Sequence, residues 1–529
     1  MTAPVSKPDD DGVAPARAGR VLTALILVAG VANINLAVAN VALPDIGEAL
    51  DASSTQLNLI AVGYSLGLAA SVLYFGALGD RYGRKRMLVF GMSLSIPASL
   101  VAGFAPSFEV LFGARVVGGI SAGLAFPTTL AVITALWSGA RRTKAIAAWS
   151  ALGAAISASG PVLSGGLLEV FKWNAVFLVT LPLAVIALIG AWFLVPSDSG
   201  DTAATVDNLG GVLSIVLVGA TVLALNFAPL GDKGTAVVIL TAIALVAALG
   251  FVVRQLRVRV PLFDLRIARR RTFWVAAVGG IIIFGTLMGA MFIGQQFLQN
   301  VLGYSTLEAG AMILPAALAM VVVAPQSAKL VEALGSRFTL LLGYAFIVAG
   351  LVVAYLTWDE GASVWVVIAA YFLIGVGVGF AGTPASHSLT GSVPVQRAGM
   401  ASSMSDLQRD LGGAIMQSLL GAILTAGYAK SLSASIAASP QADEITAQSE
   451  AALTKSFSSA EVLASRYPQY ADQIIAAARN AFVDGDTRAY GAAIAVVVLG
   501  ALIVLFGYPG HAREREAMAR YAAQQRLTD

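Results

Sequence analysis

Apolar runs of about 20 residues recur along the chain, the length a helix rising ~1.5 Å per residue needs to cross a bilayer core of roughly 30 Å. Lipid offers the backbone N–H and C=O groups no water. Such a run must therefore satisfy them within itself, as a helix. The pattern predicts fourteen spans: 21–44, 56–79, 86–106, 108–133, 143–168, 174–196, 207–229, 234–254, 272–298, 306–328, 338–358, 363–387, 398–427 and 486–508. The expected fold class is an all-α polytopic membrane protein. Composition agrees, with 57% apolar and 12% charged residues against about 25% charged in soluble domains.

Several function classes drop out. The chain has no cysteine, which removes disulfides, Cys-ligated zinc and iron–sulfur clusters. His387 and His511 are the only histidines, too few for a His-rich metal site. No GxxxxGK[ST] phosphate loop occurs, so a nucleotide site on this chain is not the energy source. No enzyme motif is present, and no cofactor, metal or nucleic-acid partner is expected.

The basic residues set the topology. An even number of spans puts both termini on one side. If that side is cytoplasmic, 24 of the 33 Lys and Arg fall on inside segments and seven outside; Arg115 and Arg409 lie within spans. By the positive-inside rule both termini are then cytoplasmic. The expected location is a bacterial inner membrane, with lipids around a monomer. The expected parts are a tail at 1–20, a six-helix unit at 21–196, two inserted helices at 207–254, a second six-helix unit at 272–508 and a tail at 509–529. An extracytoplasmic segment, 428–485, interrupts the second unit. There Ile445, Leu453, Phe457, Val462, Ile474 and Ile475 are spaced for one or two amphipathic helices broken near Pro468.

The densest charge lies between spans 2 and 3. From Gly76 to Arg86, eleven residues hold three glycines, the acid Asp80 and four bases. Such charges belong at a water interface. Gly79 and Gly83 are expected to allow a tight turn. After span 10, Lys329 through Gly335-Ser336-Arg337 has a similar charged start and ending. This suggests two copies of a six-helix unit around spans 7 and 8, with a substrate site between them near mid-membrane.

Spans 4, 5 and 13 carry the remaining signals. Span 4 holds Arg115, then Gly118-Gly119, Gly123 and Pro127. An intramembrane arginine is expensive unless paired, and regularly spaced small residues let another helix approach. Span 5 holds Gly153, Gly160-Pro161 and Ser164-Gly165-Gly166, which favour bending and close packing. Span 13 holds Asp406, Arg409 and Asp410. The two acids share a face at i,i+4, ~12 and ~18 Å from residue 398. Burial and a second acid favour the neutral carboxyl, while the arginine favours the ionised one; such opposition can place a proton site near working pH. The competing reading is a structural ion pair. Asn33, Asn35, Asn58, Gln295 and Gln296 are candidates for a substrate cavity.

Together, Gly79 through Arg86, Arg115 with Gly119 and Gly123, and Gly153 through Gly165 resemble the major facilitator superfamily over nearly the whole chain. Fourteen spans, Leu298 through Ser305, and Leu314-Pro315 are similar to its fourteen-span drug:proton antiporter branch. The resemblance implies two six-helix bundles plus two inserted helices, and multidrug efflux of small hydrophobic or amphipathic substrates by proton antiport with alternating access. It implies a latch at Gly79, Asp80, Arg81, Gly83, Arg84 and Arg115, with Asp80 near Arg115 and the start of span 13 around Arg397-Ala398-Gly399. It assigns Gly153, Gly160, Pro161 and Gly165 to the antiporter motif, and Asp406, Asp410 and Arg409 to proton coupling. The chain departs from the branch in three places. Asn35 stands where span 1 usually carries an acid, Gly118 replaces a glutamine, and Ser164 replaces a glycine. Alternative readings are export of an endogenous lipid or secreted metabolite, an uncoupled facilitator, and a membrane scaffold.

Overall fold

A computed structural model describes Pro15 and residues 17–137, 139–197, 206–228, 233–392, 398–439 and 445–526. Helices α1 (Ala18–Leu50), α2 (Ser54–Tyr82), α3 (Arg84–Gly103), α4 (Phe108–Leu136), α5 (Gly139–Leu168) and α6 (Thr180–Leu194) form one bundle. A hairpin follows, α7 (Asn208–Phe227) and α8 (Gly234–Arg257). Next come α9 (Arg271–Gln296), α10 (Leu314–Leu334), α11 (Ser336–Thr357), α12 (Val364–Gly391) and α13 (Ala398–Ala437). Two short helices, α14 (Ala447–Lys455) and α15 (Phe457–Arg466), precede α16 (Ala471–Gly507), which completes the second bundle, and α17 (His511–Arg526). Thirteen helices among the described residues are long and apolar enough to cross a membrane. Helix α5 occupies the place of the expected fifth span and packs on α1, where Gly160 meets Ala37 and Ile34.

Direction along the helices defines two faces. One carries the Arg81–Arg86 turn and is called the basic face; the other carries α14 and α15 and is called the cap face. Two helices run further toward the cap face than their apolar runs predict. Helix α13 continues to Ala437, and α16 begins at Ala471 rather than near 486. The alanine-rich stretch from Ala471 to Ala481 favours helix and contains no proline or glycine, so nothing stops it where the apolar run stops. The expected break near Pro468 is present as a single 3₁₀ turn, Pro468–Tyr470.

Small residues set the spacing inside the first bundle. A Cβ on Gly67 would overlap the Val116 carbonyl, one on Gly119 the Tyr64 carbonyl, and one on Gly123 the Ser71 hydroxyl. These contacts run along the α2–α4 crossing, so the span-4 pattern is a helix-docking surface.

The hairpin lies along the seam between the bundles. At its basic-face end Asp207 accepts from Gly210 N (3.1 Å), Arg254 Nε (2.8 Å) and Gln255 Nε2 (3.0 Å), which ties α7 to α8. Tyr74 of α2 donates to Asn208 Oδ1 at 3.1 Å. On the same face α17 docks on the second bundle. Glu514 Oε2 accepts from Ser336 N (3.0 Å) at the start of α11, and Tyr508 donates to Glu514 Oε1 at 3.0 Å.

The two duplicated turns share a backbone solution. Gly83 joins α2 to α3 with φ 99° and ψ 131°, and Gly335 joins α10 to α11 with φ 88° and ψ 164°. Only glycine adopts this region without strain. Gly79 differs from expectation. It sits inside α2, and a Cβ there would meet only Met87 at 3.7 Å and Thr128 at 4.0 Å; the turn needs Gly83 alone. Gly83→Ala is accordingly expected to cost about 1–3 kcal/mol of stability, with Gly79→Ala near neutral, measured by denaturation of the purified variants.

Candidate functional site

Helix α13 carries a charged cluster into the apolar middle of the molecule. Arg409 is eleven residues from the start of α13, ~16 Å along the axis. Its guanidinium stands between two acids, 3.9 Å from Asp406 Oδ1 and 3.7 Å from Asp410 Oδ1. Both distances exceed a charge-assisted hydrogen bond of about 2.7–2.9 Å, so the arginine is committed to neither acid. The side chain of Asp410 is 1% exposed, that of Asp406 13% and that of Arg409 37%. Asp410 Oδ1 and Oδ2, Arg409 Nε, Ser405 Oγ and both amide atoms of Gln408 are buried without hydrogen-bond partners. Native interiors leave few such atoms unpaired. A cluster of them is a place where a proton, water or ligand would be held.

Arg409 faces the first bundle, whereas the Gln408 amide packs on Gly280 of α9. Arg409 lies over the Phe126 ring at 5.0 Å, and Phe126 lies 5.7 Å from Trp149 of α5. Aromatic faces beside acids attract cations, and here the Phe126 face is taken by Arg409.

Arg115, the other intramembrane arginine, has a different environment. It is 2% exposed and donates to the carbonyls of Asn35 (2.5 Å) and Ile60 (3.3 Å). Tyr64 and Phe177 flank it at 4.9 and 5.8 Å. Backbone carbonyls take its Nε and Nη1 and rings flank it, while Nη2 is buried without a hydrogen-bond partner; among the described residues no acid is paired with it. The expected neighbourhood with Asp80 is not found. Gly63, near the cap-face end of α2, faces Arg115, whereas Gly79 faces Thr128. Thr128 is thirteen residues further along α4, ~20 Å away. Arg84 instead donates to Ala131 O at 3.5 Å. Arg81 lies over the neighbouring Tyr82 ring at 5.4 Å; the side chains of Asp80 and of Ala398 and Gly399, and segment 393–397, lie outside the described residues.

The span-5 motif closes the cap face. Gly153 and Gly160 face α1, and Ser164 donates to Val38 O at 2.9 Å. The opposite side meets the second bundle. Gly165 presses on the Thr306–Leu307 backbone, Pro161 on Gly310, and Thr306 Oγ1 donates to Gly165 O at 3.2 Å. Gln299, in the π turn that ends α9, donates to Val41 O at 3.1 Å. Asn58 Nδ2 donates to Asn226 Oδ1 (2.6 Å), and Asn226 Nδ2 to Ser418 Oγ (2.7 Å), joining α2, α7 and α13. Above them Lys455 pairs with Asp51 at 2.7 Å, and Ser54 donates to Lys455 O at 3.1 Å. Burial held by this cap extends to Glu461 of α15, whose carboxyl is pushed above its ordinary range by desolvation and by Glu48. Beneath the cap, Gln296, Asn300 and Phe457 line a cavity of only about 20 Å³, room for roughly one water.

These cross-bundle bonds all lie in the cap-face half. Residues 57–72 of α2 are buried on every side, whereas 73–78 toward the basic face are half-buried. The molecule is closed at the cap face, so the exposure of Arg409 opens toward the basic face.

Most of the expected cavity residues are engaged elsewhere in this state. Asn35 donates to Val31 O (3.0 Å), Asn58 belongs to the α2–α7–α13 bridge, and Gln295 donates to Ala309 O (2.8 Å). Asn33 faces Gly153, and Gln296 lines the small cap-face cavity. Sequence reasoning missed Asn226, Ser418 and Phe126, and met Gln299 only as part of the Leu298–Ser305 resemblance. An asparagine at the end of an otherwise apolar inserted span was the available signal.

Two helical bundles sealed against each other at one face, with uncommitted charge between them, define a membrane transporter. The chain belongs to the Major Facilitator Superfamily, whose family model matches residues 25–416. It is 31% identical over 491 residues to the multidrug efflux pump LfrA of Mycolicibacterium smegmatis, covering 93% of this chain and 96% of that protein. It is 33% identical over 397 residues to the multidrug resistance protein Stp of Mycobacterium tuberculosis, covering 75% and 74%. With the methyl viologen resistance protein SmvA of Salmonella typhimurium it shares 30% over 489 residues, covering 92% and 97%. The fold is similar to an inward-facing, occupied crystal structure of a bacterial homologue of the human lysosomal transporter Spinster, with TM-score 0.62 and 18% identity over 96% of this chain and 99% of that one.

The asparagine bridge offers a direct test of cap-face closure. Asn226→Leu removes both bonds of the bridge, leaving Asn58 Nδ2 only a 3.5 Å contact to Ser418 O and Ser418 Oγ only its bond to Ala414 O within its own helix, at about 1–3 kcal/mol, and is expected to shift the population toward cap-face opening roughly 5- to 150-fold. Because the chain has no cysteine, single-cysteine labelling on either side of the bridge reads this cleanly. Equal labelling of variant and parent would mean that the bridge does not hold the gate.

Proposed function

We propose that the protein is a multidrug exporter in which Asp406, Arg409 and Asp410 couple outward movement of a hydrophobic or amphipathic compound to inward movement of protons. The observation that carries this reading is the uncommitted arginine between two acids, one of them deeply buried. Efflux by the relatives named above supports the direction and the substrate class. The basic face is then cytoplasmic, in a bacterial inner membrane, and the cap face extracytoplasmic. The fifth helix counts as a span, which makes fourteen.

In the cytoplasm-facing state described here, a lipophilic cation enters from the basic face. The Phe126 and Trp149 rings receive its apolar body. The carboxylates of Asp406 and Asp410 receive its charge, which requires them to be ionised. Proton release to the cytoplasm therefore accompanies loading. Substrate binding and protonation stabilise different states of one cluster, and that differential affinity is what coupling requires. Arg409 compensates whichever acid is ionised, so the empty, protonated form can return without carrying a bare charge through a low-dielectric seam. Asn35 takes no part, since an amide does not titrate and its carbonyl serves Arg115. Residues Gly83 and Arg84 brace the basic face.

Proteoliposomes with an imposed pH gradient test the assignment. Asp410→Asn is expected to lower gradient-driven dye transport at least tenfold while leaving equilibrium dye binding within a few-fold; Asp406→Asn is expected to have a smaller effect on transport. Intact gradient-driven transport by Asp410→Asn would place the coupling site elsewhere.

A further inference from the structure

A second buried acid lies far from Asp410. Asp486 sits on α16 at the level where Gly485 meets Gly427 of α13, seventeen residues or ~25 Å beyond Asp410 toward the cap face. It is 1% exposed, and its Oδ1 has no hydrogen-bond partner. Among the described residues no Lys or Arg is paired with it.

Four side chains from four helices share its neighbourhood. Tyr490 follows one turn later on α16. Tyr371 comes from α12, Trp358 from the end of α11, and Gln295 from α9. The Trp358 ring lies 5.7 Å from Tyr371 and 5.3 Å from Tyr490, and both phenols lie within electrostatic reach of Asp486. Gly294 backs directly on the Tyr371 hydroxyl and on Trp358. All four side chains are at most 4% exposed. Tyr490 OH, Trp358 Nε1 and Gln295 Oε1 also lack hydrogen-bond partners, and the Tyr371 hydroxyl has only the Gln295 amide within reach, at a geometry short of a regular hydrogen bond.

Charged and titratable groups on neighbouring elements face elsewhere. Asp484 accepts from Ser431 at 2.5 Å, and the Arg488 stem lies 3.5 Å from where a Gly427 Cβ would stand. Tyr428 donates to Leu453 O at 3.0 Å, Tyr355 packs on Gly491, and Glu461 is set against Glu48 and Arg479.

A lone ionised carboxylate at this depth is strongly disfavoured, while a protonated one both donates and accepts. The ring supplies the matching set, donors from Trp358 and the two phenols and an acceptor from Gln295. We propose that Asp486, with Tyr371, Tyr490, Trp358 and Gln295, forms a second proton-binding site at the cap-face end of the second bundle, separate from Asp406 and Asp410. It makes no use of the residues assigned to substrate coupling.

Infrared difference spectroscopy of the full chain in nanodiscs tests this without reading transport, so failure of the efflux reading leaves the result standing. The parent is expected to show a protonated-carboxyl C=O band at neutral pH that shifts in D₂O and is lost reversibly as pH rises. The double variant Asp406→Asn, Asp410→Asn, which lacks the carboxyls of the coupling cluster, keeps such a band, and adding Asp486→Asn to it removes that band. If Asp486→Asn does not fold, the double variant Tyr371→Phe, Tyr490→Phe is expected to shift the band. The assignment is overturned by absence of the band in the Asp406→Asn, Asp410→Asn background, by its survival there when Asp486→Asn is added, by an unshifted band in the tyrosine variant, or by its bleaching with sodium at constant pH, which would make the ligand a metal cation.

Discussion

Close approach of helices at small residues is the constraint on which this structure rests. In lipid the hydrophobic effect does not drive one apolar helix toward another, so packing and a few polar contacts decide which helices meet. The α2–α4 crossing shows the extreme, where backbone oxygens occupy the space a methyl group would need at Gly67 and Gly119. That crossing holds the first bundle as one body. It also brings the Ile60 carbonyl and the Tyr64 ring to Arg115, so an arginine deep in the bundle is held by the backbone and rings of its neighbours, with Nη2 left unpartnered.

The same economy governs the seam between the bundles. Cap-face closure is the sum of modest contacts: glycine against backbone at Gly165 and Gly310, one amide to Val41, a three-residue bridge through Asn226, and an ion pair from the cap. Each ordinary hydrogen bond nets about 0.5–1.5 kcal/mol. A seam built this way can be opened by a ligand with a few kcal/mol of differential affinity; one large apolar interface could not. The inserted hairpin belongs to this balance, because Asn226 makes α7 a partner of both bundles.

Class, span positions, motif locations and the charged cluster on α13 were legible in the sequence, for physical reasons. Span length follows from bilayer thickness, and an i,i+4 acid pair needs only helical geometry. The cap-face extensions of α13 and α16 were not legible, because hydropathy marks where lipid ends and says nothing about where a helix ends. Gly79 was over-read: two glycines flank one turn, and only backbone dihedrals reveal that Gly83 makes it. The Asn58–Asn226–Ser418 bridge joins residues 168 and 192 positions apart, and a single sequence carries no record of such pairing.

The two intramembrane arginines show why residue type alone does not reveal a role. By composition Arg115 and Arg409 are the same anomaly, a fixed charge in an apolar span. Their partners separate them. Arg115 touches carbonyls and rings and is paired with no acid among the described residues. Arg409 faces two carboxyls at distances too long for a settled hydrogen bond, and a change at either acid alters the field on the other through it. A charge surrounded by groups that do not titrate can only hold structure; a charge shared between groups that do can transmit a protonation event to the helix that carries it. Because α13 also supplies Ser418 to the cap-face bridge, a shift of that helix in response to protonation would act on the gate about nine residues away along the same rigid rod.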